Sequence, residues 1–250
     1  MNNELKIETK TIKTVFSEST RIFSCLTIDN RQNFGIRSIV MRTLLSGMQE
    51  KYLVFSGRPN AGKSSLVKAI SGLNIITGKH PGTTRKVKKY PLNDGLVLVD
   101  LPGLGKMTGV SKRFEEKVNK QIIEFLESNI QDIVLTVAVL DISTFLEVTW
   151  RLEKKGFMSV DVEMVKFLTD IIGEFPVVVA NKIDKAKREE IAANLNEFMN
   201  RISNGQPSAV RDNVFTTSLK TGKGVGELKS AIHAKLVAKG YRTPFKVKSQ

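Results

Sequence analysis

From residue 51 to about residue 238, short apolar runs alternate with stretches whose apolar residues recur every three or four positions. Tyr52 to Ser56, Leu96 to Val99, Ile133 to Leu140, Phe175 to Ala180 and Val214 to Thr217 have the length and continuity of buried strands. Ser64 to Ile70 reads as a helix that stops at Gly72, and Phe114, Val118, Ile122 and Phe125 form a helical stripe behind Ser111, a suitable N-cap. Val162, Val165, Leu168 and Ile172 mark another helix. Ile191, Leu195, Phe198, Met199 and Ile202 mark a fourth, and Val225, Leu228, Ile232 and Leu236 the last. Such stripes are core. Strand and helix in alternation predict an α/β fold, an open and mostly parallel sheet of about six strands with helices on both faces. Asn93-Asp94-Gly95, between Arg85–Leu92 and Leu96–Asp100, predicts a hairpin and hence one antiparallel strand.

Residues 1–47 stand apart as an N-terminal extension. A strand-like alternation at Leu5, Ile7, Thr9 and Thr11 has no partner, and the segment is either a real extension or, as preferred, an upstream stretch with Met48 or Met41 as the start of the protein. Residues 48–240 make one sizeable domain and 241–250 a basic tail. A single cysteine, Cys25, excludes an internal disulfide framework. The apolar runs are too short for a membrane span, and no signal core opens the chain, so a cytoplasmic protein without a membrane partner is expected. The net charge of +14 favours polyanionic partners. No acid occurs from Gly57 to Asn93 or after Glu227, while Arg85, Lys86, Lys88 and Lys89 crowd the first stretch and six cations, Lys229 to Lys248, the second. A basic edge of this kind suggests nucleic acid.

The chemistry begins at Gly57-Arg58-Pro59-Asn60-Ala61-Gly62-Lys63-Ser64. A glycine-rich turn between a strand and a helix can aim backbone N–H groups and the helix dipole at a phosphate. Lys63 then reaches the outer phosphates and the Ser64 hydroxyl ligates Mg²⁺. Asn181-Lys182-Ile183-Asp184 follows an apolar strand, where an open sheet binds ligands. The Asp184 carboxylate can accept two hydrogen bonds from guanine, and adenine would leave it unpaired. Asp100-Leu101-Pro102-Gly103 is expected beside the γ-phosphate, with Asp100 acting on the metal through water. Thr83 and Thr84 compete as a second hydroxyl ligand, with Thr84 preferred. Thr217-Ser218-Leu219-Lys220 is a backbone contact to the base. Together these imply binding of GTP and GDP and a switch that relaxes when the γ-phosphate leaves. Trp150-Arg151 follows a loop after the strand ending at Asp141 and is either an exposed contact or, as preferred, ordinarily packed.

Gly57 to Ser65, Lys79 to Lys86 (with Gly82, Thr83, Thr84 and Arg85), Asp100 to Gly105, Gly109 to Lys112, Trp150-Arg151, Asp161 to Met164 and Asn181 to Lys185 together resemble the Era, EngA, MnmE and EngB group of P-loop GTPases. The resemblance covers about Lys51 to Lys239 and is closest to the archaeal form of EngB. It implies a P-loop NTPase fold, GTP hydrolysis that is slow without an activator, and assembly of the large ribosomal subunit, with ribosomal RNA or a precursor particle as partner. The septation and cell-division label used for bacterial EngB has no support in these residues. A monomer is expected. Lys63 and Thr84 would stabilise the transition state. Leu104 stands where a water-orienting glutamine occurs in small signalling GTPases. Asn60 would either bind K⁺ beside the phosphates or only hold the turn. Two rival readings are a slowly hydrolysing guanine-nucleotide scaffold and an Era-like RNA-associated switch.

Overall fold

Alternation of side chains along each strand decides how the molecule is layered. The computed structural model describes residues 50–75, 86–105 and 111–245. In chain order these form β1 (Lys51–Gly57), α1 (Lys63–Ser71), β2 (Lys88–Pro91), β3 (Leu96–Asp100), α2 (Lys112–Ser128), β4 (Ile133–Asp141), α3 (Phe145–Glu153), α4 (Val160–Ile172), β5 (Val177–Asn181), α5 (Arg188–Ile202), β6 (Val214–Thr217) and α6 (Val225–Ala238). The six strands lie in the order β2-β3-β1-β4-β5-β6. Only β2 is antiparallel. Its turn is the expected one: Asp94 (φ 58°) and Gly95 (φ 72°) are both left-handed, and the Leu96 N–H donates to the Asn93 carbonyl. Two central residues with positive φ match the twist of a tight hairpin.

Leu53 and Phe55 of β1, with Leu96 and Leu98 of β3, face a core closed by α1 and α6. Tyr52, Val54, Val97 and Val99 point the other way, to a core closed by α2, α4 and α5. Burial on both faces is why the strands read as continuous apolar runs. Between β4 and α4 the chain forms the helix α3, which the sequence reading did not assign. Phe145 is fully buried and meets Phe198 edge-on at 5.2 Å between ring centres. Asn194 of α5 donates to the Ile142 carbonyl (2.8 Å) and accepts from the Leu146 N–H (3.2 Å), which fixes where α3 starts. Trp150 is 62% exposed, against the expectation that it packs.

Connections from β1 and β4 leave in opposite directions along the sheet, so the crevice at their C-terminal ends is the topological switch point of an open α/β sheet. Gly57 ends β1 and pairs with Val139, while Asp141, Asn181 and Thr217 share one level across β4, β5 and β6. Asp100, Asp141, Asn181 and Thr217 therefore all fall at one edge. Among the described residues no helix is long and apolar enough to cross a membrane.

Candidate nucleotide site

The loop Arg58–Gly62 joins β1 to α1 and ends on Gly62, the N-cap, with φ 107°. A side chain there would be strained, and a Cβ would lie 2.4 Å from the Asn181 amide nitrogen. The first turn of α1 has neither a capping side chain nor an acid. The N–H groups and the positive dipole end of this turn thus face the crevice, which suits a phosphate. Lys63 is 6% exposed and folded back, its Nζ donating to the Gly57 and Arg58 carbonyls at 3.0 Å each. Burial pushes its pKa down to about 8, against the pull of Asp100 and Asp161. A buried cation with only carbonyls for partners is poised for a stronger anion.

The Asp100 loop is laid directly on this turn. The Gly57 carbonyl also accepts from the Leu104 N–H (3.0 Å), and the Leu101 N–H donates to the Phe55 carbonyl (3.1 Å). Leu101, Pro102 and Gly103 are buried, and a Cβ on Gly103 would stand 2.5 Å from the Pro59 nitrogen. Ser64 Oγ donates to Asp100 Oδ2 at 2.6 Å. Asp100 is fully buried, its Oδ1 has no hydrogen-bond partner, and burial raises its pKa. An orphaned carboxylate oxygen beside a hydroxyl fits a hydrated Mg²⁺, for which oxygen donors and retained water are the usual shell. Among the described residues no cluster of three His, Cys, Asp or Glu offers a different kind of metal site.

Asn181 joins the phosphate and base ends. Its amide donates to the Ala61 carbonyl (2.9 Å), and its Oδ1 accepts from Thr217 Oγ1 (3.2 Å) and the Leu219 N–H (3.3 Å). Its side-chain groups are thereby used as a strut between three segments. Lys182 (φ 69°) donates to Asp141 Oδ2 at 2.5 Å, and the Ile183 N–H to the Thr217 carbonyl. Asp184 is exposed, and Ser218 Oγ donates to its Oδ1 at 2.6 Å. That bond holds the carboxylate's pKa below its usual value and fixes its orientation. Buried Ser218 and partly buried Leu219 sit on the same loop, with Lys220 exposed. Of the remaining expected residues, Asn60 is exposed at φ 63°, Ser65 and Lys86 are exposed, and Arg58 and Pro59 are half-buried. Gly82, Thr83, Thr84 and Arg85 lie outside the described residues.

One participant escaped the residue-by-residue reading. Arg58 Nε lies 2.9 Å from Asp161 Oδ2, and Asp161, at the start of α4, is 1% exposed. Burial raises its pKa to about 6 against the opposing effect of Arg58. The pair clamps the phosphate loop to α4. An acid in the first turn of a helix was the available signal, but nothing in the sequence pairs it with Arg58.

Residues 52–182 match the family described as the 50S ribosome-binding GTPase. The probable GTP-binding protein EngB of Methanopyrus kandleri is 37% identical over 192 residues, 76% of this chain and 94% of that protein. Its namesake in Methanococcus maripaludis is 32% identical over 201 residues, 76% of this chain and 86% of that protein. The crystal structure of a probable GTP-binding protein EngB, 30% identical, superposes with a TM-score of 0.66 over 75% of this chain and 99% of that one.

Proposed function

The chain belongs to the EngB family of GTP-binding GTPases, and we propose that it uses GTP with Mg²⁺ as a switch in assembly of the large ribosomal subunit. The family's description as 50S ribosome-binding supports the ribosomal part. The observation in this chain that favours it is the meeting of its two acid-free stretches. Asn93 Nδ2 donates to the Thr243 carbonyl (2.9 Å), and the Thr243 N–H donates to Asp94 Oδ2 (3.2 Å). The turn that ends β2, the strand carrying Lys88, is thus tied to the basic C-terminal segment, where Lys229, Arg242 and Thr243 line one cavity. Lys89 contributes less, because it pairs with Glu50 and stands 4.4 Å from the centre of the Tyr52 ring.

In hydrolysis, water attacks the γ-phosphoryl group and GDP departs, so the protein's task is positioning and charge stabilisation. Lys63 exchanges its two carbonyls for the phosphates, and the N–H groups at the start of α1 hold them. Ser64, Asp100 through water and Thr84 would hold Mg²⁺, which would supply charge neutralisation at the phosphate oxygens. Asp184 reads guanine. Leu104 is partly buried against the α2–α4 core and has no group to orient water. Asn60, exposed in a left-handed turn, fits a K⁺ ligand that replaces an arginine finger. Steady-state turnover is expected to rise at least tenfold in K⁺ over Na⁺ and to lose that difference in Asn60→Ala. Equal turnover in both salts removes the K⁺ role.

Sedimentation with large-subunit precursors tests the partner. Recovery is expected with a GTP analogue, not GDP, and neutralising Lys86, Lys88, Lys229 and Arg242 together should weaken it and flatten its dependence on salt. Equal recovery in both nucleotide states overturns the switch reading, and no loss on neutralisation overturns this surface.

A further inference from the structure

We propose that the turn between α3 and α4 is a docking surface for unpaired RNA, with Trp150 as its stacking platform. This deepens, and rests on, the reading that the partner is RNA. Six large apolar side chains are exposed among the described residues, and four of them fall between positions 146 and 158: Leu146, Trp150, Phe157 and Met158. Scattered singly, such residues need no explanation, but gathered along α3 and the turn that follows it they mark an interaction site. The turn is ordered by its own backbone. Gly156 takes φ 74°, and the Phe157 N–H donates to the Leu152 carbonyl at 3.0 Å, returning Phe157 to the end of α3 that displays Trp150.

Charge selects the occupant. Lys154 Nζ lies 3.5 Å from the centre of the Trp150 ring. The neighbouring acids are already used, Glu147 by Arg151 and Glu153 by Arg201. Lys154 and Lys155 have no carboxylate partner among the described residues, so the apolar turn is rimmed by uncompensated cations. A nucleobase has an apolar face for Trp150 or Phe157, and its chain brings a phosphate at every residue for the two lysines. An apolar protein groove would suit the rings and leave both cations unanswered. The site is also continuous with the nucleotide site. Val160, two residues beyond Met158, packs over Gly105, and Asp161 holds Arg58 of the phosphate loop.

Trp150 is the single tryptophan of the chain, so its emission reports on this turn alone. The full chain loaded with a non-hydrolysable GTP analogue is titrated with a twelve-nucleotide oligouridylate and with an RNA duplex. Tryptophan emission is followed, and a labelled copy of each RNA is followed by anisotropy. Saturable quenching by the single strand, stronger than by the duplex, is expected. Trp150→Ala should weaken single-strand binding about 5- to 150-fold, as loss of one stacked base does. Lys154→Ala with Lys155→Ala should lower the salt slope by about 1.4, two phosphate contacts on a single strand. All three positions are exposed, so these variants keep the fold. RNA bound with silent emission and unchanged affinity in Trp150→Ala would overturn the docking surface while leaving the ribosomal reading intact. No binding to either RNA would overturn the docking surface, and the ribosomal reading would then stand or fall on the sedimentation experiment. Emission that responds to ribosomal proteins and not to RNA would assign the turn to a protein partner and overturn the inference as well.

Discussion

Replacing Asp184 with asparagine will weaken GTP binding about 100- to 1,000-fold and make xanthosine triphosphate the better ligand. The carboxylate is exposed at the sheet's C-terminal edge and is held in place by the Ser218 hydroxyl at 2.6 Å. Ionised and acceptor-only, it matches the two donors on guanine's Watson–Crick edge. An asparagine keeps one acceptor and turns a donor toward the second. A lost charge-assisted bond together with a donor left unpaired amounts to about two to three decades of affinity. Xanthine has a carbonyl where guanine has its amino group, so the same amide finds a partner again. Competition against fluorescent GDP by both triphosphates, on the native chain and the variant, measures the exchange. Unchanged GTP affinity in Asp184→Asn would mean that the base is read elsewhere.

Lys63 is expected to matter as much. Its removal in Lys63→Ala should lower GTP affinity at least 100-fold and leave single-turnover hydrolysis undetectable, since no other described cation is buried at the start of α1. A subtler effect follows from its burial. In the free protein its pKa is lowered to about 8, whereas bound phosphate favours the charged form. Binding above pH 8 therefore takes up a proton, and affinity falls as pH rises. Between pH 7 and pH 9 the decline for GDP should be about tenfold. Lys63→Arg, whose charge does not titrate there, should show no comparable decline. A native profile as flat as the arginine variant's would contradict the buried, carbonyl-bound position of Lys63.

What could be read in the sequence was whatever a single segment determines. The strands were visible because burial on both faces makes continuous apolar runs, and the hairpin because Asp94 and Gly95 are residues that tolerate positive φ. The Gly57–Ser64 turn was legible for a similar reason: a left-handed Gly62 in close approach to Asn181 tolerates few residue types. Less visible were features made by distant segments. Asn181 is recognisable as part of a base-reading motif, yet its side chain is committed to Ala61, Thr217 and Leu219, a strut that only the assembled sheet creates. Arg58 and Asp161 lie 103 positions apart, and neither announces the other. The helix α3 was missed because only Phe145 and Thr149 of its nine residues are buried, too few to show an apolar stripe. Trp150, for which ordinary packing was preferred over an exposed contact, is exposed on that same helix.

The central claim is a guanine-nucleotide site assembled from the Gly57–Ser64 turn, the Asp100 loop and Asp184. The most direct measurement is displacement of fluorescent GDP from the full chain by GTP and by ATP, in Mg²⁺ and at neutral pH. GTP should displace the probe at stoichiometric to low micromolar concentration, and ATP should fail at a thousandfold higher concentration, because adenine leaves the Asp184 carboxylate without its two donors. Equal displacement by ATP would contradict the site as described.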